Sequence, residues 1–345
     1  MKKTLAVALG ATLLAGVVSA QAATISGAGA TAPAPIYQKW AEAYKAKSGV
    51  AMNYQGIGSG GGIKQIEAKT VDFGASDKPL PAAELNKFGL LQFPTVIVGI
   101  APVVNIPGVG AGQLHLNGPV LADIYLGEIK RWSDPRIANL NKGVRLPNLP
   151  ITVVHRSDGS GTTFLYTSYL KAVSPAWGKV GASDSVAWPV GQGGKGNDGV
   201  SAFVRQTPGS IGYVEYAFAK NNNLAYVDLA DHQGAFIAPN EQTFGAAAAH
   251  ADWKGAEGFA PSLLDQPGAN AWPISGATFI LVYKNPANAA ATGNVLKFFD
   301  WAYANGDGMA TQLAYVPLPG SVKALVRDAW TAEVKSGGKP VYAAH

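Results

Sequence analysis

A turn near the middle of the chain joins a short strand to the start of a helix through a run of hydrogen-bond donors. Residues 151–154 have the apolar character of a buried strand, and the donors follow at residues 155–163 (HRSDGSGTT). Beyond them, Leu165 and Tyr169 have helical spacing. The free N–H groups of a first helical turn and the positive end of the helix dipole both attract anions. The turn therefore predicts an α/β unit that holds an anion.

Two upstream turns repeat this chemistry. Residues 26–33 (SGAGATAP) lead into a segment with helical spacing, and residues 55–62 (QGIGSGGG) follow a strand-like segment and open another helix. Thr31 and Ser59 are the hydroxyl residues at these two helix starts. Each is either a plain N-cap, which accepts a hydrogen bond from the helix, or a ligand residue, which donates to an oxyanion. Three such turns in one chain favour binding.

Arg156 and Asp158 stand two residues apart in the central turn. As a surface salt bridge the pair would contribute little, but within a turn Asp158 would orient the guanidinium of Arg156 towards a ligand. The neighbouring glycines favour the second interpretation. Ser160 and Thr162 offer hydroxyl donors, and the N–H of Gly161 approaches an oxygen with no side chain in the way.

Asp77, in the segment 71–80 (VDFGASDKPL), has two interpretations. It either caps a helix at residues 79–84 or accepts a hydrogen bond from a protonated anion. Phosphate keeps at least one proton at neutral pH, and a carboxylate accepts that O–H group, whereas sulfate brings only lone pairs. In the second interpretation, Asp77 selects phosphate over sulfate.

The N-terminus has the pattern of an export signal. Lys2 and Lys3 precede an apolar run that ends near residue 20, and residues 20–22 (AQA) form a small-residue cleavage site. The alternative is a membrane anchor, but the run is short for a span, so we expect cleavage after Ala22. The chain has no cysteine, which excludes disulfides, thiolate metal sites and lipidated cysteines. We therefore expect a soluble protein of the Gram-negative periplasm.

Charge and patterning bound the fold class. The net charge of +5 comes with no block of basic residues, so no nucleic-acid surface is expected. Short strands alternate with helical patterns from residue 24 to 212, which predicts an α/β fold with mostly parallel sheets.

Two apolar runs, at residues 93–104 and 272–283, are each either a hinge strand between two lobes or an ordinary core strand. Residues 191–199 (GQGGKGNDG) predict a glycine-rich loop.

Several enzyme classes are disfavoured by their motifs. Residues 56–61 match G-x-G-x-x-G, but the helix that follows is short, so a dinucleotide site is not expected. Ser59 and Ser160 lie outside G-x-S-x-G, which argues against a serine hydrolase. No P-loop motif or paired histidine motif for a metal occurs in the sequence. The histidines, which we expect to be surface or packing residues, are His115, His155, His232, His250 and His345.

Six segments together resemble the phosphate-binding proteins of bacterial high-affinity phosphate ABC transporters, over essentially the whole chain after the signal. They are residues 27–31 (GAGAT), 53–59 (NYQGIGS), 71–77 (VDFGASD), 158–162 (DGSGT), 193–199 (GGKGNDG) and 211–216 (IGYVEY). The resemblance implies a two-lobed periplasmic binding fold, with helices on both faces of mixed, mostly parallel sheets and two crossover hinge strands. It implies a signal peptide at 1–22, a discontinuous first lobe at 23–97 and 273–345, and a second lobe at 98–272.

The resemblance also assigns roles by position. Asp77 would accept the phosphate proton, and Arg156 would be the cationic ligand, held by Asp158. The remaining phosphate-binding residues would be Thr31, Ala32, Ser59, Ser160, Gly161 and Thr162. Ala32 replaces an aromatic residue that is frequent in the family, and Gly60 replaces a second serine. Because Ala32 would bind through its N–H group, we expect binding to survive.

Transport without catalysis is the role that the resemblance implies. Inorganic phosphate would be carried by a monomer, without cofactor or metal, to the subunits of an inner-membrane ABC permease. The residues themselves leave open an exported phosphatase, a receptor for another oxyanion such as sulfate or molybdate, and an adhesive exported protein.

Overall fold

The computed structural model describes residues 24–249 and 251–343, so the signal predicted at residues 1–22 lies outside the described residues, as do His250 and His345. The strands are β1 (Thr24–Gly29), β2 (Ala51–Gly56), β3 (Phe73–Ser76), β4 (Leu90–Asn105), β5 (His115–Leu116), β6 (Thr152–Arg156), β7 (Gln192–Gly194), β8 (Ser210–Glu215), β9 (Ala225–Tyr226), β10 (Asp228–Ala230), β11 (Phe236–Ile237), β12 (Ser275–Tyr283), β13 (Val316–Pro317), β14 (Lys335–Ser336) and β15 (Lys339–Pro340).

Helices alternate with these strands, as expected for the α/β class. They are α1 (Ala34–Ser48), α2 (Ser59–Glu67), α3 (Ala82–Phe88), α4 (Gly118–Leu126), α5 (Pro135–Leu140), α6 (Gly161–Val173), α7 (Gly196–Gln206), α8 (Tyr216–Asn221), α9 (Glu241–Ala248), α10 (Ala289–Asn305), α11 (Asp307–Gln312) and α12 (Gly320–Glu333), with 3-10 turns at Pro175–Lys179 and Glu257–Phe259. Within the described ranges, no helix combines the length and apolar character needed to cross a bilayer.

A ten-stranded sheet organises the chain, in the order β2-β1-β3-β12-β4-β8-β6-β7, with β13 and β9 also paired to β4. Pairing is parallel among β1, β2 and β3, here called the β1 end, and among β6, β7 and β8, here called the β6 end. The central pairs between them are antiparallel. The predicted parallel units are thus present at both ends of a mixed sheet.

Strand β4 joins the two ends. It is buried along almost its whole length, pairs with β12 up to Gly99, and pairs with β8 from Ile100 onwards. The chain returns beside this point, because the N–H of Ile100 donates to the carbonyl of Ile274 over 2.8 Å and the indole of Trp272 donates to the carbonyl of Ile100 over 2.9 Å. Both apolar runs singled out in the sequence therefore meet where the sheet changes partners.

A β-bulge interrupts the pairing of β4 with β12. Pro94 pairs with Phe279 and Val96 pairs with Thr278, so Thr95 is the extra residue. Proline has no N–H group to give to a ladder, which explains the irregularity at this place. The hydroxyl of Thr95 donates to the carbonyl of Thr278 over 3.2 Å and so fixes the backbone of Thr278.

The prediction of a glycine-rich loop at residues 191–199 is wrong. These residues form β7 and the first turn of α7. The glycines are needed for close packing: a Cβ atom on Gly194 would lie 2.7 Å from the nitrogen of Val200, and one on Gly193 would lie 2.8 Å from Cβ of Ser157. A strand made mostly of glycines has no alternation of apolar and polar residues, so the sequence pattern predicts a loop.

Candidate anion-binding site

The hydroxyl of Ser59 joins three of the turns that the sequence singled out. Its Oγ accepts hydrogen bonds from the N–H of Gly161 over 3.0 Å and from the N–H of Asp77 over 3.2 Å. The approach is so close that a Cβ atom on Gly161 would lie 2.6 Å from both Ser59 Oγ and Asp77 Cβ. Turns from the β1 end and the β6 end therefore meet at one point.

Further contacts hold the two ends together around this point. The N–H of Gly60 donates to the carbonyl of Gly159 over 2.9 Å. Lys78 and Asp184 form a partly exposed ion pair with an Nζ to Oδ1 distance of 2.8 Å. Burial acts to raise the pKa of Asp184, but the hydrogen bond and charge of Lys78 lower it overall. The site is thus enclosed between the ends.

Arg156 has the oriented position that its spacing to Asp158 predicts. Its Nε and Nη2 donate to the two carboxylate oxygens of Asp158 over 2.7 Å and 2.5 Å, and its side chain is 1% exposed. Asp158 also accepts from the N–H of Gly196, and Nη1 of Arg156 lies 3.4 Å from Thr162 Oγ1. Burial acts to raise the pKa of Asp158, but Arg156 lowers it overall. This pair is a buried, bidentate one, not a surface salt bridge.

The hydroxyl oxygens of Thr31, Ser59 and Ser160 each accept a hydrogen bond from a protein donor. Ser160 caps α6, since its Oγ accepts from the N–H of Thr163 over 3.0 Å. Thr31 and Ser59 do not cap, because α1 and α2 follow Pro33 and Gly58 without a side-chain cap. Thr31 Oγ1 instead accepts from Nδ2 of Asn197 over 2.9 Å. A hydroxyl whose lone pairs are engaged by protein donors has its proton left to donate.

Three backbone N–H groups in these turns also lack an acceptor within residues 24–249 and 251–343. The N–H groups of Ala32, Ser59 and Thr162 have no protein acceptor among the residues that the structure describes. Each of them lies at or next to the first turn of a helix, namely α1, α2 or α6. Unpaired N–H groups at several helix starts form an anion site by electrostatics alone.

Asp77 is the carboxylate among these donors. It is 2% exposed, and its Oδ1 accepts from the hydroxyl of Thr278 over 2.6 Å. Burial raises the pKa of Asp77 to about 6, while the Thr278 hydrogen bond and the charge of Arg156 act to lower it. Asp77 does not cap a helix, because α3 begins at Ala82 after Pro81. Its carboxylate is therefore ionised at pH values above about 6 and lies within the electrostatic influence of Arg156.

The histidine nearest the site is used in packing. The ring of His155 stacks on Trp188 with centroids 4.9 Å apart, and its Nδ1 contacts the carbonyl of Arg156. No hydrogen bond joins it to Ser59 or Ser160 within the described residues, so the serines have no base beside them. Residues 24–249 and 251–343 also contain no cluster of acidic or histidine side chains that would hold a metal.

Sequence reasoning missed three contributors to the site. Asn197 and Thr278 act on Thr31 and Asp77 from distant segments, and the Lys78 ion pair crosses between the two ends. Asn197 could have been found from the sequence, because it follows a glycine at the start of a helix in one of the six family segments. Thr278 carries no such signal, because its position depends on the bulge in β4.

The comparisons with known proteins agree with this geometry. The sequence profile of the PBP superfamily domain matches residues 17–305. The phosphate-binding protein PstS of Pasteurella multocida is 53% identical over 327 residues, which are 94% of this chain and 95% of that protein. This chain belongs to the PstS family of phosphate-binding proteins. The PstS protein of Haemophilus influenzae is 51% identical over 92% of this chain and 95% of its own length.

The two-lobed fold expected for a PstS protein is also confirmed by a solved structure. A high-affinity periplasmic phosphate-binding protein (PfluDING), bound with phosphate, has a TM-score of 0.71 to this chain at 24% identity. The likeness covers 92% of this chain and 97% of that one. At this identity the comparison concerns the fold.

Proposed function

We propose that this protein binds inorganic phosphate between the β1 end and the β6 end and delivers it to an inner-membrane ABC permease. The observation that carries the proposal is the buried carboxylate of Asp77 among hydroxyl, N–H and guanidinium donors. A fully ionised oxyanion meets repulsion there, whereas phosphate donates its O–H group to the carboxylate. The PstS relatives are named phosphate-binding proteins, which supports the same ligand.

The proposed roles follow from the contacts. Arg156, held by Asp158, supplies the positive charge, and Asp77 accepts the phosphate proton. The donors are Thr31, Ala32, Ser59, Ser160 and Thr162. Gly161 gives its N–H to Ser59 Oγ in this structure, so its proposed contribution is the space that lets Ser59 and Asp77 approach.

The proposed lobes have the boundaries that the resemblance implies, with residues 23–97 and 273–345 in one and 98–272 in the other. The exchange of partners along β4 between Gly99 and Ile100 supports this division. A ligand held by Thr31 and Ser59 from one lobe and by Arg156 from the other makes its full set of contacts when the lobes are closed. Phosphate therefore selects the closed form.

The proposal also covers the export of this chain and its role in the periplasm. The signal at residues 1–22 is removed after Ala22, and the mature chain works in the periplasm as a monomer that needs no cofactor and performs no reaction. Its sequence pattern and its relationship to PstS proteins support these points.

Calorimetric titration tests the proposed function. The mature chain, beginning at Ala23, is unfolded to remove carried-over ligand, refolded, and titrated with phosphate, sulfate and molybdate at pH 7. We expect one phosphate per chain with a Kd of about 1 μM or below, and sulfate weaker by at least about a hundredfold. Tighter binding of sulfate or molybdate would make the protein a receptor for another oxyanion. Release of nitrophenol from nitrophenyl phosphate would make it a phosphatase.

A further inference from the structure

Asn197 connects the two ends of the sheet at the edge of the site. It is fully buried in the first turn of α7, at the β6 end. Its side chain reaches Thr31, at the β1 end, with 2.9 Å between Nδ2 and Oγ1, and its own N–H lies 3.4 Å from the same oxygen. Nothing in the roles assigned above uses this residue directly.

The orientation of the Asn197 amide is fixed by its second partner. The backbone N–H of Glu215 approaches the amide over 3.0 Å, and an N–H group can only donate, so the atom that faces it is Oδ1. The NH₂ group is then forced towards Thr31. Because Nδ2 can only donate, Thr31 Oγ1 must accept, and the hydroxyl proton of Thr31 is left to point elsewhere.

We propose that Asn197 is a positioning residue of the phosphate site, which sets Thr31 as a hydrogen-bond donor to the ligand and ties the two ends together in the closed form. The inference rests on the proposed function, since it assigns a role towards the same anion. In this role, Asn197 contributes to phosphate recognition through the side chain of Thr31. A group that accepted the Thr31 proton instead would turn a ligand donor into a repelling lone pair.

The surroundings of Asn197 determine how a charge there would behave. Glu215 is completely buried, with one carboxyl oxygen unpartnered among the described residues, and burial raises its pKa well above the usual range. The titratable and charged groups around the position are Glu215, Tyr315, Asp158, Arg156 and Asp77, together with the exposed Lys195 and Asp198 in the same helix turn. Arg156 is already engaged by Asp158. A carboxylate introduced at residue 197 would be buried, whereas the neighbouring Lys195 is exposed to solvent, so burial would raise the pKa of that carboxylate.

Asn197→Asp is the direct test, because it has the same shape and keeps an oxygen for the N–H of Glu215. Its second oxygen takes the Thr31 proton when ionised and donates a proton to Thr31 when protonated. We expect phosphate binding weaker than in the unsubstituted chain by about tenfold or more at pH 8, with the ratio shrinking at pH 5. Because an ionised carboxylate also repels the anion directly, the double-mutant cycle described below isolates the part of this loss that acts through Thr31. Thermal unfolding without phosphate confirms that the variant is folded.

A double-mutant cycle with Asn197→Ala and Thr31→Val gives a second measurement that does not need Asn197→Asp to fold. If Asn197 acts through Thr31, its removal weakens phosphate binding much less in the Thr31→Val background than alone. Additive losses, or a pH-independent Kd within about twofold of the unsubstituted chain for Asn197→Asp, would overturn the inference while leaving phosphate binding established. Failure of the unsubstituted chain to bind phosphate would overturn the proposed function, and this inference with it.

Discussion

Thr278 donates its hydroxyl proton to Oδ1 of Asp77 over 2.6 Å, and both side chains are buried. Thr278 lies on β12, the strand that pairs with both β3 and β4, and it is next to the bulge in β4. The hydrogen bond occupies one carboxylate oxygen and favours the ionised form of Asp77, against the burial that raises its pKa. The other oxygen accepts no hydrogen bond from the described residues and is the one that we propose accepts the ligand proton.

Replacing Thr278 by valine should weaken anion discrimination. Without the hydroxyl, the pKa of Asp77 rises further above about 6, so more of the carboxyl is protonated at pH 7 and donates to sulfate. We expect the ratio of sulfate Kd to phosphate Kd to fall by about tenfold, measured by calorimetry. Thr278→Ser is the matched control, since it keeps the hydroxyl that donates to Asp77. An unchanged ratio in Thr278→Val would remove this role.

Asp77 should also leave a signature in the pH dependence of stability. Its pKa is raised from 3.8 to about 6 in the folded, phosphate-free protein, so the folded state holds the proton more tightly than the unfolded state. The protonated carboxyl of Asp77 therefore stabilises the folded state below pH 4, and this stabilisation is lost as pH rises through 6. Compared with Asp77→Asn, the unsubstituted chain should lose about 2 kcal/mol of unfolding free energy between pH 4 and pH 7. Urea unfolding at both pH values measures it, and a constant difference would contradict the assignment.

Replacing Arg156 by lysine should weaken phosphate binding although the charge is kept. A single ammonium cannot reproduce the two bonds to Asp158 and the contact with Thr162. We expect a loss of affinity of about tenfold or more in calorimetric titration. Arg136→Lys is the control, because Arg136 forms exposed ion pairs with Asp123 and Asp134. Equal affinities in the two variants would argue against a ligand role for Arg156.

The ion pair between Lys78 and Asp184 should contribute a small, salt-dependent part of the free energy that holds the two ends of the sheet together around the ligand. The pair joins the two ends of the sheet but is partly exposed, so its worth is about 0.2–1 kcal/mol. Lys78→Ala should weaken phosphate binding by about twofold to fivefold in low salt and less in 0.5 M salt. Lys284→Ala, which breaks a similar pair with Glu333 away from the site, should have no effect. A salt-independent change in Lys78→Ala would contradict this reading.

Local chemistry in the sequence was enough to find most of the site. Each turn combines a strand end, glycines and a helix start, and these features are read from neighbours in the chain. The pairing of Arg156 with Asp158 was predictable for the same reason, since a single residue separates them. The roles of Thr31 and Ser59 were not, because capping and ligand binding use the same residue types at the same positions.

Contacts between distant segments account for what the sequence left out. Asn197 bonds a residue 166 positions away, and Thr278 bonds one 201 positions away. Their positions depend on the closure of the sheet ends and on a bulge that Pro94 imposes in β4. The strand β7 was missed because its glycines are selected for close packing, not for apolar alternation.

In the proposed function, the buried carboxylate of Asp77 makes this site selective for phosphate by accepting a proton from the ligand. The most direct test of this role is the affinity of Asp77→Asn for phosphate and for sulfate at pH 7, measured by calorimetry beside the unsubstituted chain and Ser160→Ala. We expect Asp77→Asn to lose most of the preference for phosphate, because the amide donates to sulfate, and Ser160→Ala to keep the preference with weaker binding of both anions. An Asp77→Asn variant that prefers phosphate as strongly as the unsubstituted chain would contradict this role.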